Sequence, residues 1–161
     1  MHSQQEAALA DLAAARKELL DALVGLSDAD LESPLGPGEW RIRDMLAHIS
    51  HWNRWGLNRL RYIIRHGEGT EPPSAIDADT VNQRIAEAWA LHPMKDVLAE
   101  FECCYEDVVT FIRSLPPEWA ARTWQYGGEP MTLPRWFGFA ASHERDHAAQ
   151  LRAWRATRQE G

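Results

Sequence analysis

The stretch Ser142–Leu151, SHERDHAAQL, decides how the rest of the chain is read. On a helix, residues four apart project from one face, so His143 and His147 present two imidazoles side by side. His143-Glu144-Arg145-Asp146-His147 also fits the H-E-x-x-H pattern, in which two such histidines hold zinc and the glutamate serves as general base. The plain alternative is a pair of histidines on a helix flank. A third ligand separates the two readings, and the fold limits where one can come from.

Outward from that stretch, the spacing predicts a helix from near Thr132, placed as its N-cap with Pro134 in the first turn. Its stripe holds Leu133, Phe137, Ala140, Ala148, Leu151 and Trp154. A first helix, about Gln4 to Leu26, carries Leu9, Leu12, Arg16, Leu19, Leu23 and Leu26 at steps of three or four, with only Arg16 polar. A second runs from about Arg41 to Arg65 on Ile42, Met45, Leu46, Ile49, Trp52, Leu60, Ile63 and Ile64. A shorter one covers about Asp79 to Leu91, and another long one about Met94 to Leu115. Pro34, Gly36, Pro37 and Gly38 break the chain, as do Gly67, Gly69, Pro72 and Pro73 in the longest connection. Pro116–Met131, PPEWAARTWQYGGEPM, reads as irregular with at most a short extended excursion. There is no strand-period run and no repeat. The expectation is all-α: one domain over residues 1–161, a four-helix bundle with one long crossover connection and a short extra helix.

Composition sets outer bounds. Of 161 residues, 45% are apolar and 25% charged, as in ordinary globular chains, and the net charge is −7. That charge argues against nucleic acid as the main partner. Arg41, Arg43, Arg54, Arg59, Arg61 and Arg65 crowd one segment and read as a solvated helix face. No run approaches the roughly 18 apolar residues of a membrane span, and MHSQQEAALA at the start lacks a secretory pattern. No membrane association and a cytoplasmic location are expected. Cys103 and Cys104 are adjacent, which suits free thiols in a reducing compartment, Cys104 falling near the core stripe. The eight tryptophans supply core area, with a subset free to line a pocket or a subunit contact.

A protease of the H-E-x-x-H kind needs a further ligand downstream. Fourteen residues follow His147; they hold no histidine, no glycine turn, and one carboxylate, Glu160. A protease is therefore disfavoured, and the third ligand lies upstream among His2, His48, His51, His66 and His92. His2 is terminal, and His66 and His92 flank Gly67 and Pro93 at helix ends. With Ile42 at 0° and about 100° per residue, the apolar stripe centres near 340°, His48 falls near 240° beside Met45 and Trp52, and His51 near 180°, facing solvent. On the last helix, counted the same way from Leu133, His143 falls at about 280° and His147 at about 320°, on the stripe's flank. Two bundle helices can thus close a three-histidine site of His48, His143 and His147, with Met45 and Trp52 as expected pocket walls. A metal is the simplest satisfaction of three imidazoles in a core. Glu144 falls at about 20°, in the middle of the apolar face. It reads as a catalytic base or a partner orienting an imidazole, or else as half of a buried ion pair with an arginine.

Glu39–Trp52, EWRIRDMLAHISHW, and Ser142–Trp154, SHERDHAAQLRAW, together resemble the DinB/YfiT-like superfamily over about residues 5–155. The Trp40 entry, the histidine of DMLAH, the H-x-x-x-H followed by AAQL, and SLPPEW at Ser114–Trp119 carry the resemblance. It implies a four-helix bundle with a long crossover, a divalent metal on His48, His143 and His147, a homodimer, and a small-molecule substrate. Relatives of that family include thiol-dependent transferases and isomerases, and some hydrolases. Zn, Ni, Fe and Co all suit three imidazoles. The metal would hold a low-molecular-weight thiol as thiolate for S-transfer, or activate water for hydrolysis. The alternative from another class is a non-enzymatic metal- or small-ligand-binding stress-type protein.

Overall fold

The computed structural model describes residues 3–36, 39–70 and 77–159. His2, Pro37, Gly38, Pro72, Pro73 and Glu160 lie outside the described residues. Four long helices form the body: α1 (Gln4–Leu23), α3 (Ile42–His66), α5 (Met94–Ser114) and α7 (Leu133–Gln159). Between them lie α2 (Asp28–Leu31), α4 (Ala78–Trp89), α6 (Pro117–Ala120), and a hairpin of β1 (Trp124–Tyr126) and β2 (Glu129–Met131).

Local chemistry sets the boundaries. Ser3 and Glu6 close a capping box at the start of α1, and Ser27 with Asp30 closes another on α2. Gly67, at φ 98°, ends α3 in a conformation that a side chain would resist. Gly127 and Gly128, at φ 59° and 82°, make the two-residue turn that pairs Tyr126 with Glu129 and Trp124 with Met131. Three features thus differ from the sequence expectation. The single-turn helix α2 lies between the first helix and the break at Pro34, where none was expected; α6 is a second single turn within the stretch read as irregular; and the Gly-Gly pair builds a true hairpin where only a short excursion was expected.

The core runs as two apolar clusters, one toward each end of the bundle. At one end, Ala8 and Leu12 of α1 meet Leu60 and Ile63 of α3, Ile112 of α5 and Leu133 of α7. At the other, Leu19 of α1 meets Met45 of α3, Phe101 of α5 and Leu151 of α7. These partnerships set the directions. α1 runs parallel to α7, its main neighbour, and α3 parallel to α5, the two pairs pointing opposite ways. A parallel pair cannot be joined by a tight turn, so the chain from α3 to α5 is the long crossover, and α4 lies within it, packed on α3. The fold is the expected four-helix bundle, with three short helices and a hairpin among the described residues where one extra helix was expected.

The arginine-rich face of α3 is less solvated than its composition suggests. Arg43 is buried and bridges Glu32 to the carbonyls of Trp89 and His92, which anchors the end of α4. Arg54 reaches Glu100 at 2.8 Å and Asp107 at 3.0 Å across to α5. No helix among the described residues is long and apolar enough to cross a membrane.

Candidate metal centre

α3 and α7 cross midway between the two apolar clusters, and there the three histidines meet. His48 Nε2 lies 2.7 Å from His143 Nε2, and His147 Nε2 lies 2.9 Å from the same atom. His48 is buried, the other two partly so, and the three form a group able to hold a metal ion. His51 points away and is exposed, as the helical wheel required. His66 and His92 lie at helix ends, outside the group.

Hydrogen bonding determines which nitrogen of His48 is free. The Trp52 indole N–H donates to Asn82 Oδ1 at 2.9 Å; an indole can only donate, so that atom is the amide oxygen. His48 Nδ1 sits 3.0 Å from the same oxygen and must therefore carry the proton. In the neutral ring, Nε2 then presents a bare lone pair to His143. His147 Nδ1 lies 3.0 Å from Gln150 Oε1. A proton on His143 Nε2 satisfies one of its two short contacts and leaves the other with no hydrogen between the nitrogens. Burial, then the neighbouring imidazoles, push His48 down to about 3 and His143 down to about 4, and burial also lowers His147. Three neutral imidazoles facing inward, two with their outer nitrogens tied to amide groups, are the donor set of a borderline divalent cation. The residues fit the metal the sequence suggested.

Asn82 and Gln150 were not singled out from the sequence. Asn82 lies on α4, within the crossover, so only the folded chain brings it to His48. Gln150 lies three residues after His147 and was legible as a helical neighbour. Trp40 covers His48 as well, its ring centroid 4.9 Å away.

A cavity of about 420 Å³ opens beside His48 and His143. Trp52 lines it, with Trp55, Trp136, Phe137 and the hairpin's Tyr126 and Met131. Met45 does not. It is fully buried in the core with Leu19 and Leu151, because it sits one turn before His48 while the cavity opens toward the turn after it.

Glu144 also departs from its expected part. It is 1% exposed, and its Oε1 accepts from Arg16 at 2.8 Å and from the Asn53 amide at 3.0 Å. Among the described residues its hydrogen bonds go to these two groups and not to the three histidines, and it is not part of the cavity wall. One residue beyond His143, it is turned about 100° around α7 and faces α1. The Arg16 guanidinium is itself stacked 3.9 Å from the Phe101 ring centroid and 4.4 Å from that of Tyr105. Burial pushes the Glu144 carboxyl up, and the Arg16 charge and the Asn53 amide pull it back. The arginine ion pair, raised from the sequence as the alternative, is the geometry present.

A four-helix bundle of this topology with three inward histidines defines the class, and the sequence match agrees: residues 11–151 match the DinB superfamily, and the protein belongs to that family. It is 27% identical to the uncharacterized protein YuaE of Bacillus subtilis (strain 168) over 148 residues, 86% of this chain and 91% of that one. Its fold matches that of YfiT from Bacillus subtilis, described as a probable metal-dependent hydrolase with an unusual four-helix bundle topology. The TM-score is 0.70 at 16% identity, covering 99% of this chain and 91% of the other. It also matches the colibactin self-resistance protein ClbS, crystallised with double-stranded DNA, at TM-score 0.77 and 14% identity over 96% of each chain.

That last structure corrects one expectation. A protein of this fold is seen with DNA, so the exclusion of nucleic acid drawn from the −7 charge does not hold. A net charge is a sum over the whole chain and does not describe the local field at any one face.

Proposed function

We propose that the protein is a divalent-metal-dependent enzyme acting on a small molecule, with His48, His143 and His147 as the ligands and thiol-dependent S-transfer as the reaction. The observation that carries this reading is the set of three inward Nε2 atoms at the edge of a cavity of about 420 Å³. Bound there, a divalent ion supplies Lewis acidity that keeps a thiol deprotonated at neutral pH. The chain's own residues do the rest. Asn82 and Gln150 hold the outer nitrogens of His48 and His147 and so aim the inner ones. Trp52 and Trp136 exclude water from the cavity side. Glu144 works at a distance from the chemistry, tying α7 to α1 through Arg16 and to α3 through Asn53.

Thiol transfer is favoured over water attack because the cavity wall holds no carboxylate, among the described residues, to take a proton from water. Hydrolysis is the second reading, supported by the likeness to YfiT, described as a probable metal-dependent hydrolase. The test is metal analysis of the purified protein, then turnover of model electrophiles with and without added thiol. Thiol-dependent turnover that is lost on chelation supports the first reading. Turnover without thiol supports the second, and metal uptake with neither would mean a binding protein.

A further inference from the structure

The wall of the cavity beside the histidines is nearly all ring and methyl. Trp52, Trp55, Tyr126, Trp136 and Phe137 surround it, and Phe139 stands at it 62% exposed. Among the described residues that line it there is no lysine, arginine, aspartate or glutamate. The polar groups that do reach it are largely committed elsewhere. Asn82 Oδ1 accepts from Trp52 and His48, and Asn53 donates its amide to Glu144 while its Oδ1 is buried without a hydrogen-bond partner among the described residues. Arg59, a cation near the cavity, lies 5.8 Å from the Trp55 ring centroid and 5.7 Å from that of Tyr126, and is not in the wall. Away from the histidines, an ionised ligand entering this space would give up hydration and find no charged side chain in the described wall, a cost several times that of burying a neutral one. A ring entering it gains from its own burial and from covering Phe139.

We infer that this cavity takes a neutral, ring-bearing apolar molecule that carries one ligating head group, the head at the histidines and the ring among Trp55, Trp136 and Phe139. A volume of about 420 Å³ is at the small end of ligand cavities, enough for one or two fused rings with a short arm. The inference rests on the metal reading for the head group alone. The ring's place follows from the wall.

The test compares three thiols on the cobalt-loaded protein: benzyl mercaptan, 2-mercaptoethanol and 3-mercaptopropionate. Binding is followed by cobalt–thiolate absorption and, independently of any metal, by quenching of tryptophan fluorescence, since Trp52, Trp55 and Trp136 face the cavity. Benzyl mercaptan should bind at least about tenfold tighter than 2-mercaptoethanol, the gain expected for burying one ring. Phe139→Lys, at a site exposed enough to keep the fold, should narrow that gap and improve the carboxylate. Equal affinities across the wild-type panel, or tighter binding of 3-mercaptopropionate, would overturn the inference whatever the metal content. A gap that Phe139→Lys leaves untouched would overturn the ring's placement. If cobalt is not taken up while quenching still ranks the thiols as expected, the metal reading fails and the apolar cavity stands.

Discussion

His143 and Glu144 are neighbours on α7, and each reaches a buried polar partner on α3: His48 for the first, Asn53 for the second. The two clusters they build are opposites. Around Glu144 the charges answer each other, carboxylate to guanidinium at 2.8 Å, with two aromatic rings stacked on the arginine. That cluster is paired in charge, although Glu144 Oε2, Arg16 Nε and Asn53 Oδ1 are buried without a hydrogen-bond partner among the described residues. Around His143 three like acceptors point at one another, and no arrangement of protons satisfies both short contacts of its Nε2. That cluster is one that a cation could complete. One residue of sequence, about 100° of helix, separates a structural tie from a site.

The comparison breaks most visibly at Glu144. Glu144→Gln leaves Arg16 buried without its counter-charge and should cost about 3–5 kcal/mol in urea unfolding. The variant should still take up metal at full stoichiometry. Lost metal with intact stability would instead put the carboxylate in the histidine site. Next is the metal itself. Zinc at a hundredfold excess over Kd should add about 2.7 kcal/mol to unfolding, while chelation leaves the helical signal in place, because the two apolar clusters remain. His48→Ala should abolish that gain and His51→Ala should retain it. An equal effect from both would show that the imidazole on the solvent face takes part.

Smaller effects sharpen the contrast. Asn82→Ala frees His48 Nδ1, and zinc affinity should fall about 10- to 100-fold, measured by competition with a chromophoric chelator. Unchanged affinity would mean that the ring is held by packing against Trp40 and Trp52. The least effect concerns pH in the metal-free protein. His48 and His143 lie at about 3 and about 4 when folded, against 6.5 when unfolded. Between those values the unfolded chain binds more protons, so stability present above pH 6.5 should decline as pH falls toward 3–4 and then level off. His48→Ala should flatten that decline, and a profile identical to the parent's would remove His48 as its source.

Much of this was legible in the chain. Apolar spacing alone marks four long helices, because each must bury one stripe. The observed ends of α1, α3 and α5 and the start of α7 fall within three residues of those expected. The same periodicity put His48 inside and His51 outside, since both sit on one long regular helix whose register carries from Ile42. The buried position of Glu144 followed equally, and so did the choice between its two readings, but not the answer. Arg16 stood out as the one polar residue on its stripe, yet it lies 128 positions away, and nothing local to either residue joins them. Met45 misled for a related reason. A helical wheel records angle and not height, and the cavity opens on only one side of His48 along the helix axis.

What the sequence by itself determined is everything carried by short-range periodicity: the helices, their inner faces, and two imidazoles aligned four residues apart. Tertiary structure decided the rest, because it depends on which faces meet. The parallel pairing of α1 with α7 brought Arg16 to Glu144, and the crossover carried Asn82 to His48. The hairpin closed the cavity with Tyr126 and Met131. Each of these contacts spans dozens of residues and is selected by the packing of the whole bundle, which no local pattern encodes.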